Sequence, residues 1–95
     1  MTNFTEIRIE VLIDNNQTRV RDEIIPSKEA LKLATADFNP SGDHGITLIK
    51  IVSAALIQLI IDHGTGLSSR FAMQKTQEAK MWAVQSVVDK NESEE

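Results

Sequence analysis

The sequence predicts a mostly α chain: a helical domain of about three helices behind an N-terminal β-hairpin or extended arm, assembled as a homo-oligomer. Three observations predict it. Residues 7–13 alternate between apolar and polar, broken only at Leu12. Two long stretches after residue 43 carry apolar residues at helical spacing, between clear glycine and proline stops. Residues 46–61 are apolar on nearly every side, more than a surface helix with one apolar stripe requires.

The first element rests on Ile7, Ile9, Val11 and Ile13, which fall on one side, with Glu6, Arg8 and Glu10 on the other. Period two with β-branched residues marks a strand. Asp14-Asn15-Asn16-Gln17 marks a turn, and residues 18–25 are either a return strand or part of an arm that orders on a neighbouring subunit. An isolated hairpin is marginal in water and must pack on something.

Ser27 follows Pro26 and is a good N-cap, with Glu29 in the first turn of a helix expected to reach about Asp37. Residues 38–45, FNPSGDHG, interrupt it. Pro40 disfavours helix at Asn39, the glycines fit a loop, and Asp43 or Ser41 can cap the next helix. That second helix is expected from about His44 to His63. Its only polar stripe is Thr47, Lys50, Ser53 or Ala54, Gln58 and Asp62. Gly64 is expected as a left-handed residue ending it. A third helix is expected from Ser68 or Ser69 to about Asp89. It carries a stripe of small residues at Ala72, Thr76, Ala79 and Ala83, beside Phe71, Lys75, Glu78 and Trp82. Tryptophan at that spacing is usually core. The resulting division is residues 1–26 as strand, hairpin or arm, 27–90 as the helical oligomerisation and ligand-binding domain, and 91–95 as a disordered acidic tail.

Composition bounds the function. The chain has 95 residues, no cysteine and a net charge of −4. One small domain is marginally stable alone, and subunit association is a common remedy. The acidic balance argues against a nucleic-acid polymer as partner, while a few local cations still suit a small phosphate ligand. The N-terminus lacks the basic start and apolar run of a signal peptide. Residues 46–61 are shorter than the roughly 20 needed to span a membrane, so a cytoplasmic protein with no membrane partner is expected.

No catalytic motif is present. His44 and His63 sit at opposite ends of one expected helix, roughly 30 Å apart. Neither a metal-ligand spacing nor a phosphate-binding glycine loop occurs. The expectation is a binder with no catalytic residue, no metal and no cofactor.

Several residues are candidates for that binding. Lys50 lies one to two turns into an otherwise apolar helix: either its stem snorkels, or it presents a cation to an anionic ligand beside a helix N-terminus. Arg70 and Lys75 open the third helix, where a cation opposes the helix dipole. Thr76 offers a hydroxyl to a phosphate, or bonds it back to its own helix. Phe38 either staples a helix end or offers a face on which a base stacks.

In order along the chain stand Phe38-Asn39-Pro40-Ser41, Ile49-Lys50 followed by Ser53-Ala54-Ala55-Leu56-Ile57, then Arg70-Phe71-Ala72-Met73-Gln74-Lys75-Thr76 and Met81-Trp82-Ala83-Val84. This ordered set resembles the small bacteriophage sponge proteins that counter cyclic-oligonucleotide (CBASS) immunity, the second type of anti-CBASS protein. The resemblance covers residues 38–88; residues 1–37 have no counterpart in it. It implies a helical hexamer in the cytoplasm of the infected bacterial host. Such a hexamer sequesters cyclic di- and trinucleotides, such as those like 3′,3′-cyclic GMP–AMP, without cleaving them. By position, Lys50 resembles the family lysine that contacts the nucleotide. Phe38 resembles the aromatic, often tyrosine, that stacks on a base. The resemblance places Asn39 and Ser41 in the loop beside the ligand, with residues 41–45 supplying hydrogen bonds. Arg70, Lys75 and Thr76 match the third-helix motif, either as ligand contacts or as subunit contacts. A basic residue that serves trinucleotide binding in some members has no basic match near Val88. An oligomeric module that binds a partner protein through its N-terminal strand is the alternative.

Overall fold

The computed structural model describes residues 7–36 and 39–93. Two strands come first, β1 (Ile9–Asp14) and β2 (Arg19–Ile24), then helices α1 (Lys28–Leu33), α2 (His44–His63) and α3 (Gly66–Ser93). Residues 18–25 therefore form a return strand. β1 and β2 pair antiparallel with Ile9 opposite Ile24 and Asp14 opposite Arg19. The turn is held by Asn15, whose Oδ1 accepts from the N–H groups of Gln17 and Thr18 at 2.9 and 2.7 Å. This register puts Glu10 opposite Glu23, an unfavourable cross-strand pair. Arg8 reaches across to Glu23 at 3.3 Å and offsets it. The base of the apolar face, at Ile9, Val11 and Ile24, is half-buried, while Ile13 and Val20 near the turn are exposed.

Pro26 is buried where the hairpin meets the helices. The Ser27 N–H donates to Gln58 Oε1 in α2 at 2.7 Å, and Ser27 Oγ accepts from Ala30 N as the N-cap of α1. α1 stops earlier than the expected Asp37. Thr35 stands at φ 51°, the left-handed region. Its N–H donates to Lys32 O, and that of Ala36 to Leu31 O. These two bonds are the pattern that closes a helix C-terminus, usually with glycine at the left-handed position.

The core lies where α1 and α3 meet α2. Ala30 and Ala34 of α1 pack with Ala54 and Ile57 of α2, and Leu31 and Met73 lie against them. Ile57 is the one large side chain fully buried among the described residues. Such alanine contacts bring helix backbones close but bury little apolar area per residue.

Lys50 corrects the expected polar stripe. Ile46, Lys50, Ala54 and Ile57 recur at helical spacing and all are buried, so Lys50 belongs to the core-facing side. Solvent instead meets Leu48, Val52, Leu56 and Leu59. Trp82 corrects the expected core as well: it is 68% exposed, beside exposed Phe71 and Met81 on α3. α2 is 20 residues long with a mean hydropathy of 1.9, enough by length and composition to cross a membrane, longer than the expected apolar run. In this fold it packs against both α1 and α3.

Gly64 also departs from expectation. Its backbone is extended, at φ −97°, and a side chain there is excluded by proximity instead: a Cβ would stand 2.8 Å from Ile60 O. The left-handed glycine between α2 and α3 is Gly66, at φ 71°, and α3 starts there, two or three residues earlier than expected. It also runs on to Ser93, so Asn91–Ser93 of the expected tail are helical.

Candidate functional site

α2 and α3 pack with a groove of about 410 Å³ between them. Ile49, Val52 and Leu56 of α2 and Ala79 and Ala83 of α3 make apolar walls, and Ser53, Lys75, Thr76 and Lys80 add polar groups. The small residues expected to let helices close up thus also leave this space. Its size is in the range of small-ligand pockets.

Lys50 is 8% exposed and lies on the core-facing side of α2. Lys80 stands half-buried on α3. Burial first, and then the charge of Lys50, hold the Lys80 ammonium below the ordinary lysine value. Lys80 Nζ donates to Thr35 Oγ1 at 3.1 Å, and that hydroxyl donates to Ala34 O at 2.7 Å. The end of α1 and the middle of α3 therefore meet here. Sequence reasoning missed Lys80, because a lysine within a long polar helix ordinarily marks the solvated side. Its position between Ala79 and Ala83, within the small-residue stripe, is the signal that it borders a helix contact.

The other candidates are dispersed. Lys75 lines the groove and pairs with Glu78 at 3.3 Å in an exposed contact, a kind worth little. Thr76 is buried, and its hydroxyl donates to Ala72 O at 2.7 Å. Ser53 likewise donates to Ile49 O. Arg70 is exposed and lies ten residues before Lys80, roughly 15 Å along the helix, away from the groove. Asn39 and Ser41 build the entry to α2. Asn39 Nδ2 donates to Asp43 O and Thr47 Oγ1, both at 2.8 Å, and Ser41 Oγ donates to Asn39 Oδ1 at 2.7 Å. Phe38 lies outside the described residues.

Asp43 caps α2, its Oδ1 accepting from Ile46 N at 3.1 Å. The Asn91 side chain, more than the Ile46 N–H, holds the Asp43 carboxyl below its ordinary value. Among the described residues no group of three or more His, Cys, Asp or Glu side chains is placed to hold a metal ion.

Fold and groove together define a small helical protein with an N-terminal hairpin and a lysine-bordered apolar groove. No protein-family model matches the chain, and no curated protein or solved structure matches it either.

Proposed function

We propose that this protein is a non-catalytic sponge that binds and sequesters cyclic dinucleotides, and so blocks CBASS defence in the cytoplasm of an infected bacterium. The observation that carries this reading is the apolar α2–α3 groove bordered by Lys75 and Lys80. Ammonium groups suit phosphodiester anions, and flat apolar walls suit a base. The ordered motifs that resemble the sponge family supply the ligand class and the hexamer. Cyclic trinucleotides are the second class to test.

Association of subunits completes the site in this reading. Val52 and Leu56 both line the groove and stand exposed, in line with Leu48 and Leu59. Exposed apolar rows of this kind mark interaction surfaces.

Native mass spectrometry with a panel of cyclic di- and trinucleotides tests both parts, by counting subunits and bound ligands together. The ligand should be released unaltered on denaturation; a linearised product would make the protein an enzyme. Lys50→Ala should weaken binding and leave the assembly intact, and an unchanged affinity would remove Lys50 from the site.

The exposed Ile13 and Val20 on the hairpin favour a second reading, in which a β-strand edge captures a partner protein. Deleting residues 1–25 separates the two. Loss of a protein partner with nucleotide binding retained would favour the second.

A further inference from the structure

We propose that the outer edge of β1 is a self-association surface. Two copies of the chain join their hairpins through antiparallel β1 strands centred on Val11, giving one four-stranded sheet. This joint holds whatever the α2–α3 groove binds, and it gives the hairpin edge a second copy as its occupant.

β1 and β2 form a sheet of two strands, so among the described residues each strand keeps one edge unpaired. A two-stranded hairpin is marginal in water, whereas three or more strands with an apolar face are stable. Free edges are ordinarily blunted by proline, lysine or a bulge. β1, Ile9-Glu10-Val11-Leu12-Ile13-Asp14, has neither proline nor lysine and pairs residue for residue with β2.

Charge decides which edge joins and in which register. Residues directly opposite in an antiparallel pair lie on the same face of the sheet. Two identical strands therefore pair about a residue that meets its own copy, the isologous arrangement of a two-fold dimer. For β2, the two registers that keep five of its six residues centre on Arg21 or on Asp22. Each sets a charge against itself, which is destabilising. For β1, centring on Leu12 sets Glu10 against Asp14 of the partner subunit, again like charges. Centring on Val11 sets no like charges opposite.

In that register Ile9 lies opposite Ile13 of the partner subunit, and Val11 opposite its own copy. The apolar face that Ile9, Val11 and Ile13 share with Ile24 and Val20 thus continues across the joint. Cross-strand pairs of β-branched residues support a sheet. Ile13 is exposed and Ile9 half-buried, so the joint sets the exposed end of each hairpin beside the covered base of the other. Arg8 and Asp14, each already bonded within its own hairpin, come opposite one another with unlike charge.

Cross-linking of full-length protein tests the register. The chain has no cysteine, so one introduced thiol can bridge only to its own copy. Opposite residues in an antiparallel pair have Cα atoms about 4.5–5.5 Å apart, within disulfide reach. With diamide as oxidant, Val11→Cys should cross-link at least about tenfold faster than Leu12→Cys or Val20→Cys. Sedimentation tests the charges. Leu12 is 53% exposed and lies opposite Arg21 in its own hairpin, so Leu12→Glu keeps the fold. Across the joint it sets a glutamate against Glu10 of the partner subunit, twice by symmetry. Leu12→Glu should raise the dissociation constant about tenfold. Leu12→Lys meets the same Glu10 with opposite charge and should stay within about threefold of the parent.

A parent that sediments as a monomer overturns the proposal and leaves the edge to a partner protein. Faster cross-linking of Leu12→Cys than of Val11→Cys also overturns it, because the strands would then centre on Leu12. If neither thiol cross-links, or if Leu12→Glu and Leu12→Lys assemble alike, the copies meet elsewhere and β1 is not their joint.

Discussion

Asn91, in the last turn of α3, donates its side-chain amide to Asp43 Oδ2 at the start of α2, at 3.0 Å across 48 positions of sequence. The bond ties the far end of the longest helix to the cap of the most apolar one. It also gives the C-terminal turn a tertiary contact.

An acid-dependent stability follows. Asp43 is held below its ordinary carboxyl value, chiefly by Asn91 and then by the Ile46 N–H. A group with a depressed folded pKa adds stability above its unfolded value, about 3.9 for aspartate. That stability is lost as pH falls through the folded value. Asn91→Ala should therefore melt below the parent at pH 6, with the gap closing as pH falls below about 4. Thermal melts across that range check it.

Lys50→Met should fold like the parent, because the methionine side chain fills the space of the lysine stem. It should bind cyclic dinucleotide at least about tenfold more weakly, the ordinary loss for a charge-assisted hydrogen bond. Isothermal titration beside a circular dichroism melt separates the two effects.

Trp82 is 68% exposed, and surface changes of that kind usually alter subunit stability by no more than about 0.5 kcal/mol. Trp82→Ser should accordingly leave the helical signal unchanged while shifting sedimentation towards smaller species. Assembly of unchanged size would show that α3 presents this face to something other than another copy.

Ala54 has no exposed surface and packs with Ala30 and Ala34 of α1. Ala54→Leu has no space to enter and should destabilise the protein by about 1–3 kcal/mol. Ala54→Gly tests the opposite sign of volume change, and adds about 1 kcal/mol of helix-propensity loss. Urea melts measure both.

The hairpin was legible because Ile9, Val11 and Ile13 alternate and Asn15 can close a turn by itself. The caps at Ser27 and Asp43 were legible for the same local reason. The end of α1 was not: threonine carries no sequence signal for a left-handed conformation, and the burial of Ala34 and Ala36 on either side of it is a tertiary feature. Lys50 stands out in the sequence as the one cation of an apolar helix, yet it lies on the core-facing side of α2. Hydrophobicity orders residues by cost of burial, and a buried lysine defeats that ordering. Lys80 was invisible because its meaning lies in Thr35, 45 positions away. Asn39 and Ser41 drew notice as loop polar groups, yet their hydrogen bonds go to each other and to the start of α2.

The bond from the Ser27 amide to Gln58 makes the chain separable at a defined seam. The two strands before buried Pro26 close their own ladder, and the helices after it begin from a cap already anchored to α2. A reporter or affinity module grafted ahead of Pro26 in place of the hairpin would inherit a fixed point of attachment in the second half of α2. The protein thus offers a natural handle for tethering its groove to a surface or a sensor.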